Sequence, residues 1–400
     1  MANYNNLNNL NNGQLLALVH TTQTPAYVLD EAKLIHNLQV LKLVQDQSGC
    51  KILLAQKAFS MFAVYPLLSE YLDGTTASGL YEARLGREHF PGEVHIFSPA
   101  YRFTDMLEIA EIADHIVYNS LRQFEQLSHI CQNAGKSIGL RINPECSTQE
   151  TAIYDPCAPG SRLGILAEDL NKFANHHKDL MRRVDGLHFH TLCEQNADAL
   201  ECTLKAVEEK FSKYLYKCKW VNFGGGHHIT RPDYDRDLLI RLIKNFSEKY
   251  QVQVYLEPGE AIALNAGYLV TEILDIVENH GTKILILDTS ASCHMPDVLE
   301  MPYKPPLFDA GQPGEKRYTY RLSSYTCLAG DIIGDYSFDH ELQIGDRLCF
   351  EDMMIYSMVK NNTFNGMPLP DIGILHKNYN QYHYEILKKF DYQDFKERLS

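Results

Sequence analysis

The chain has 400 residues, 45% of them hydrophobic and 22% charged, which excludes a disordered or fibrous protein and allows one large domain or two ordinary ones. Lys and Arg total 37 against 51 Asp and Glu, a net charge of −14, and this speaks against nucleic acid or an anionic membrane surface as partner. The same charge attracts cations, so a cationic small molecule is the favoured partner, beside the plainer role of keeping the protein in solution.

The first residues, MANYNNLNNLNNGQ, have neither the basic nor the apolar segment of a signal peptide and are expected to be irregular. No run of 18 apolar residues predicts a membrane span. PAYVLD (25–30) is a first strand, free to join either part of the fold. Eight short apolar runs then alternate with amphipathic segments: KILLAQKA (51–58), GTTASG (74–79), EVHIFSP (93–99), HIVYNS (115–120), SIGLRINP (137–144), DGLHFHT (185–191), WVNFGGG (220–226) and QVYLEPG (253–259). Asn119-Ser120 opens one intervening helix and Gly135 closes it. Eight strands in alternation with helices predict a (β/α)8 barrel over residues 31–267. Closely spaced runs from Tyr268 onward predict a C-terminal antiparallel β domain, residues 268–400, with residues 1–30 partly joining it. The ten cysteines form no CxxC pair, which predicts reduced thiols, a cytoplasmic setting and no structural zinc.

Active sites of such barrels lie at the C-terminal ends of the strands. The polar residues there are Lys57, Ser78, Arg141, His188, His190, Gly224–Gly226 and Glu257. Lys57 either enters a dry pocket, where desolvation makes its amine a nucleophile toward an aldehyde, or leaves the barrel for solvent. The triple glycine ends the seventh strand, where bare amides suit a phosphate, or is simply a tight turn. His188 and His190 offer either a metal-binding pair, with His227 and His228 nearby, or an imidazole to stack on a flat ring. Glu257 requires a cationic partner, a protonated pyridine nitrogen or an arginine. One cofactor uses all four features. Pyridoxal phosphate has an aldehyde for the lysine, a phosphate for the glycines, a ring for stacking and a nitrogen for the carboxylate.

With these residues in place the chain resembles the fold-type III pyridoxal-phosphate decarboxylases, the family of ornithine, diaminopimelate and arginine decarboxylases. The resemblance runs from about Thr24 to Asp371 and rests on TPAYVLDEAKL, AQKAFS, RINPE, SRLGI, GLHFHTLCEQN, NFGGGHHIT, EPGEA, DTSASCHMPDVLEMPY, TCLAGD and FNGMPLP. Within the family it is greatest to the branch acting on carboxynorspermidine or carboxyspermidine. The resemblance implies Lys57 as the Schiff-base lysine, His190 stacked on the ring, Gly225 and Gly226 on the phosphate, Glu257 on the pyridine nitrogen and Tyr356 on the phosphate. From TCLAGD it implies Cys327 as proton donor to the reacting carbon and Asp331 on the substrate amine. It also implies a homodimer, since the family draws this segment from the second subunit.

The sequence departs from the ornithine and diaminopimelate patterns. Glu260 follows EPG where those enzymes carry arginine, and Asp297 and Glu300 stand where diaminopimelate enzymes hold a distal carboxylate with arginine. Carboxylates match ammonium groups, so Glu260, Asp297 and Glu300 point to a substrate with a long amine arm, a polyamine precursor. The rivals are decarboxylation of diaminopimelate or another basic amino acid, racemisation, a metal-dependent hydrolase built on His188 and His190, and a non-catalytic binding relative.

Overall fold

The computed structural model describes residues 12–149, 152–378 and 381–400; the Asn-rich start up to residue 11 lies outside the described residues. The chain divides into two compact units, Asn37–Ile262 and a second that joins the segment ending at His36 to Ala263–Ser400.

β1 (Ala26–Asp30) belongs to the second unit. The next eight strands close a parallel barrel: β2 (Lys51–Ala55), β3 (Gly74–Ala77), β4 (Glu93–Ser98), β5 (His115–Tyr118), β6 (Ser137–Arg141), β7 (Gly186–His188), β8 (Trp220–Asn222) and β9 (Gln253–Leu256). Each strand begins within one residue of the start of its apolar run but ends short of it. The remainder continues as loop and holds Lys57, Ser78, His190, Gly224–Gly226 and Glu257, while Arg141 and His188 are the last residues of β6 and β7.

The helices follow from period and caps. In Leu121–Asn133 the buried Phe124, Leu127, Ser128 and Cys131 fall at i, i+3, i+4 and i+7, one face of a 3.6-residue repeat. Ser120 Oγ accepts the Gln123 N–H at its start, and Gly135, at φ +69°, adopts the left-handed turn just past its end.

The second unit is a sheet of order β13-β12-β11-β10-β1-β15-β16, with β14 also on β10. These strands are β10 (Gly267–Asn279), β11 (Thr282–Leu287), β12 (Tyr318–Ser324), β13 (Ile332–Phe338), β14 (Arg347–Glu351), β15 (Asp371–Asn378) and β16 (Gln381–Lys388). The sheet is mixed rather than wholly antiparallel, because β1 pairs β15 and β11 pairs β12 in parallel. Parallel neighbours need long crossovers. Residues 288–317 supply one, and the whole barrel is inserted between β1 and the rest of its sheet. The start of the described chain is ordered as a helix, Asn12–Thr21, whose Leu15, Leu18 and Val19 pack with Val28, Tyr268 and Val270. Among the described residues no helix is long and apolar enough to cross a membrane.

Candidate active site

Parallel register sets the site. Arg141 pairs with His188, and His188 with Asn222, so the last residues of β6, β7 and β8 stand side by side at the barrel mouth. Glu257 follows β9 directly, and its N–H donates to the Gly224 carbonyl at 2.8 Å. The His188 Nε2–H donates to Glu257 Oε2 at 3.3 Å, and Asn222 Nδ2 donates to Glu257 Oε1 at 2.7 Å. The other end of the Asn222 amide accepts the Gly224 N–H at 2.8 Å. One side chain therefore fixes both the carboxylate and the glycine turn. His190 lies just beyond β7, with Nδ1 3.1 Å from the nitrogen and 3.0 Å from the oxygen of Gly225. Arg141 donates to the His190 carbonyl at 3.2 Å and lies 4.5 Å from the centre of the Phe97 ring.

Lys57 sits two residues past β2. Its side chain opens to solvent, but protein atoms crowd it, and that crowding together with the Arg141 charge holds the amine below its ordinary pKa. Burial alone would raise Glu257; the opposing pull of His188, by charge and hydrogen bond, outweighs it and holds the carboxyl well below the usual range. Burial pulls both His188 and His190 below the usual imidazole range, against the opposing charge of Glu257. The mouth thus combines an amine held below its ordinary pKa, an ionised carboxylate and two buried imidazoles.

Glu260 belongs to the same unit. Its Oε2 is 3.5 Å from Nε2 of the buried His228. The remaining residues lie in the sheet unit. Asp331 is 1% exposed and accepts from Ser290 Oγ at 2.6 Å, Ser324 Oγ at 2.9 Å, the Ser292 N–H at 3.2 Å and the Thr326 hydroxyl. Cys327 is exposed, and its N–H donates to Asn365 Oδ1 at 2.9 Å. Tyr356 is half-buried at φ +54°, a strained value for a residue with a side chain. Asp297 and Glu300 both bind the Lys360 ammonium.

Among the described residues two groups have metal-ligand spacing, Glu93 with His95 and His115, and Glu194 with His228 and Glu260. His188 and His190 belong to neither. They are turned to Glu257 and Gly225 instead.

A sequence model described as pyridoxal-dependent decarboxylase, C-terminal sheet domain, matches residues 26–354. The chain belongs to the pyridoxal-dependent decarboxylases. It is 45% identical over 385 residues to the carboxynorspermidine/carboxyspermidine decarboxylase of Campylobacter jejuni, covering 93% of this chain and 97% of that one. It is 41% identical to the carboxyaminopropylagmatine decarboxylase of Synechocystis, over 94% of this chain and 95% of that one. A crystal structure of the Campylobacter jejuni carboxynorspermidine decarboxylase complexed with norspermidine superposes with a TM-score of 0.85 at 44% identity, over 94% of this chain and all of that one.

The mouth of this decarboxylase fits pyridoxal phosphate. A Cβ on Gly225 would meet the Glu257 carbonyl at 2.5 Å, and one on Gly226, at φ +82°, the Leu192 carbonyl at 2.0 Å. Only bare backbone passes there, packed against those two carbonyls, so both positions require glycine. The lowered amine suits an aldehyde, and the ionised carboxylate suits a protonated ring nitrogen. Sequence reasoning passed over Asn222 and left His188 without a role, although both support Glu257. Their signal is a polar residue ending a barrel strand directly before a candidate loop, as in WVN-FGGG and GLH-FH.

Proposed function

We propose that this decarboxylase removes the α-carboxylate of a carboxylated triamine, carboxynorspermidine or carboxyspermidine, giving norspermidine or spermidine and carbon dioxide. The observation that carries the reading is the full-length likeness to the Campylobacter jejuni enzyme. It is supported by a carboxylate, Glu260, at the position after EPG, where an ammonium rather than a carboxylate is the fitting partner.

Pyridoxal phosphate, when bound, supplies an electron sink for the carbon that loses its carboxylate. Lys57, His190, Gly225, Gly226, Glu257 and Tyr356 are the residues that would hold it. Lys57 offers an amine whose lone pair is freed more readily because crowding and the Arg141 charge lower its pKa. Glu257, kept ionised by His188 and Asn222, holds a proton on whatever nitrogen faces it. Cys327 serves as proton donor to the product carbon. Asp331, pinned by hydroxyls, receives a substrate amine. Glu260, Asp297 and Glu300 are assigned to the distal amines; at Asp297 and Glu300 an arriving ammonium exchanges with Lys360.

We also infer a homodimer, for which the exposed Cys327 and Leu328 of TCLAGD are the support, and a reducing, cytoplasmic setting, for which ten unpaired thiols are the support. Light scattering that gave a monomer would remove the first inference. Disulfides in protein extracted under thiol-blocking conditions would remove the second.

The Synechocystis relative supports a second reading, a substrate ending in guanidinium. Measuring kcat/KM on carboxynorspermidine, carboxyspermidine, carboxyaminopropylagmatine, meso-diaminopimelate, ornithine and arginine separates the two. The proposal expects the carboxylated triamines to lead by about tenfold or more, at least the low end of what one methylene is worth in a pocket. A lead for carboxyaminopropylagmatine moves the assignment to the second reading. A lead for diaminopimelate or ornithine overturns both.

A further inference from the structure

The foot of the barrel carries polar groups that the decarboxylase site does not use. Glu93 opens β4 and His95 lies two residues on, so both side chains leave the strand on the same face. His115 opens β5 and pairs with His95 across the ladder. Their rings stack at 4.0 Å between centroids, and His95 Nε2 is 3.0 Å from Glu93 Oε2. One donor atom from each of the three lies within 4.8 Å of the others. His95 is 1% exposed, and the Nδ1 atoms of both histidines are buried without a hydrogen-bond partner. Barrel interiors are ordinarily filled by branched apolar side chains, and an imidazole nitrogen without a partner is costly there. A cavity of about 450 Å³ opens at this end of the barrel and is lined by His115, Lys51, Ser137, Asp185, Trp220 and Tyr255.

We propose that Glu93, His95 and His115, brought together by the β4–β5 register at the foot of the barrel, bind a divalent transition metal of the zinc type. Two imidazoles and a carboxylate make a donor set suited to such ions, and the cavity supplies a water as fourth ligand. The ion ties the first turns of β4 and β5 together, at the strand ends opposite those that carry Lys57 and Glu257. Lys51 is its competitor. Its ammonium is ion-paired to Glu93, and at 35% exposure it is free to swing into solvent when an ion arrives.

The test uses the full chain loaded with pyridoxal phosphate and freed of metal by a chelator. Cobalt(II) is the probe, because its visible bands report nitrogen and oxygen ligands while a near-ultraviolet charge-transfer band reports thiolate. Wild type is expected to take up one equivalent without the thiolate band. Glu93→Gln and His115→Gln are expected to weaken uptake about tenfold or more, the least that loss of a direct ligand should cost. Lys51→Met is expected to bind more tightly, and this keeps the test decisive should either ligand variant fold poorly. His228→Gln reports on the Glu194, His228 and Glu260 group and is expected to leave uptake unchanged. No uptake by wild type, uptake undiminished in well-folded Glu93→Gln and His115→Gln, weaker uptake by Lys51→Met, loss in His228→Gln or a thiolate band would each overturn the proposal.

Discussion

At the foot of the barrel Lys51 is ion-paired with Glu93, whereas at the mouth no carboxylate lies within 4 Å of the Lys57 ammonium among the described residues. The mouth does hold a carboxylate, but His188 and Asn222 occupy Glu257. The same three residue types, lysine, glutamate and histidine, are therefore wired differently at the two ends of one set of strands. Direct pairing at the foot ties Lys51 to Glu93. At the mouth the histidine and asparagine hold the carboxylate, and crowding lowers the lysine. A reactive amine here comes from withholding its natural partner.

Exchanging the lysines gives the sharpest break. Lys57→Ala is expected to lower decarboxylation at least about a thousandfold and to abolish the visible absorbance of bound cofactor, as loss of a central group does. Lys51→Met is expected to stay within about twofold, because a partly exposed ion pair contributes little. A carbon dioxide release assay on both compares them directly. The carboxylates should divide the same way: Glu257→Gln is expected to cost about a hundredfold in kcat, and Glu93→Gln about twofold at most.

A smaller effect is expected on stability at the glycine turn. Gly226→Ala meets both a positive φ and the Leu192 carbonyl, and is expected to cost about 1–3 kcal/mol with weaker cofactor retention. Thermal unfolding with and without added pyridoxal phosphate checks both. The smallest concerns protons. Burial pushes His227, beside that turn, down to about 4, while an unfolded histidine titrates near 6.5. Between those values the unfolded chain binds the extra proton, so this contribution to stability is present above about pH 6.5 and is lost as pH falls toward 4. His227→Gln should flatten the acid limb of urea midpoints measured over that window.

The barrel was legible because its strands alternate with amphipathic helices, and the mouth was legible because its residues end apolar runs. Lys57, His190, the glycines and Glu257 fall at such ends, and the structure gathers them in one unit. Register between strands is not written in a single chain, so the alignment of Arg141, His188 and Asn222 emerged only in three dimensions. The parallel pairing of β1 with β15 was hidden for the same reason, since its partners are separated by the entire barrel. Lys360 is distant in sequence from Asp297 and Glu300, so their ion pairs have no local signature. The hydroxyl cage around Asp331 likewise draws on Ser290, well upstream of TCLAGD.

The central claim is that this barrel mouth decarboxylates a carboxylated triamine through Lys57. Product mass spectrometry of carboxynorspermidine incubated with wild type and with Lys57→Ala, each supplied with pyridoxal phosphate, tests it most directly. The account predicts norspermidine, lighter than substrate by one carbon dioxide, from wild type alone. Unchanged substrate with wild type, or norspermidine formed equally by both proteins, would contradict it.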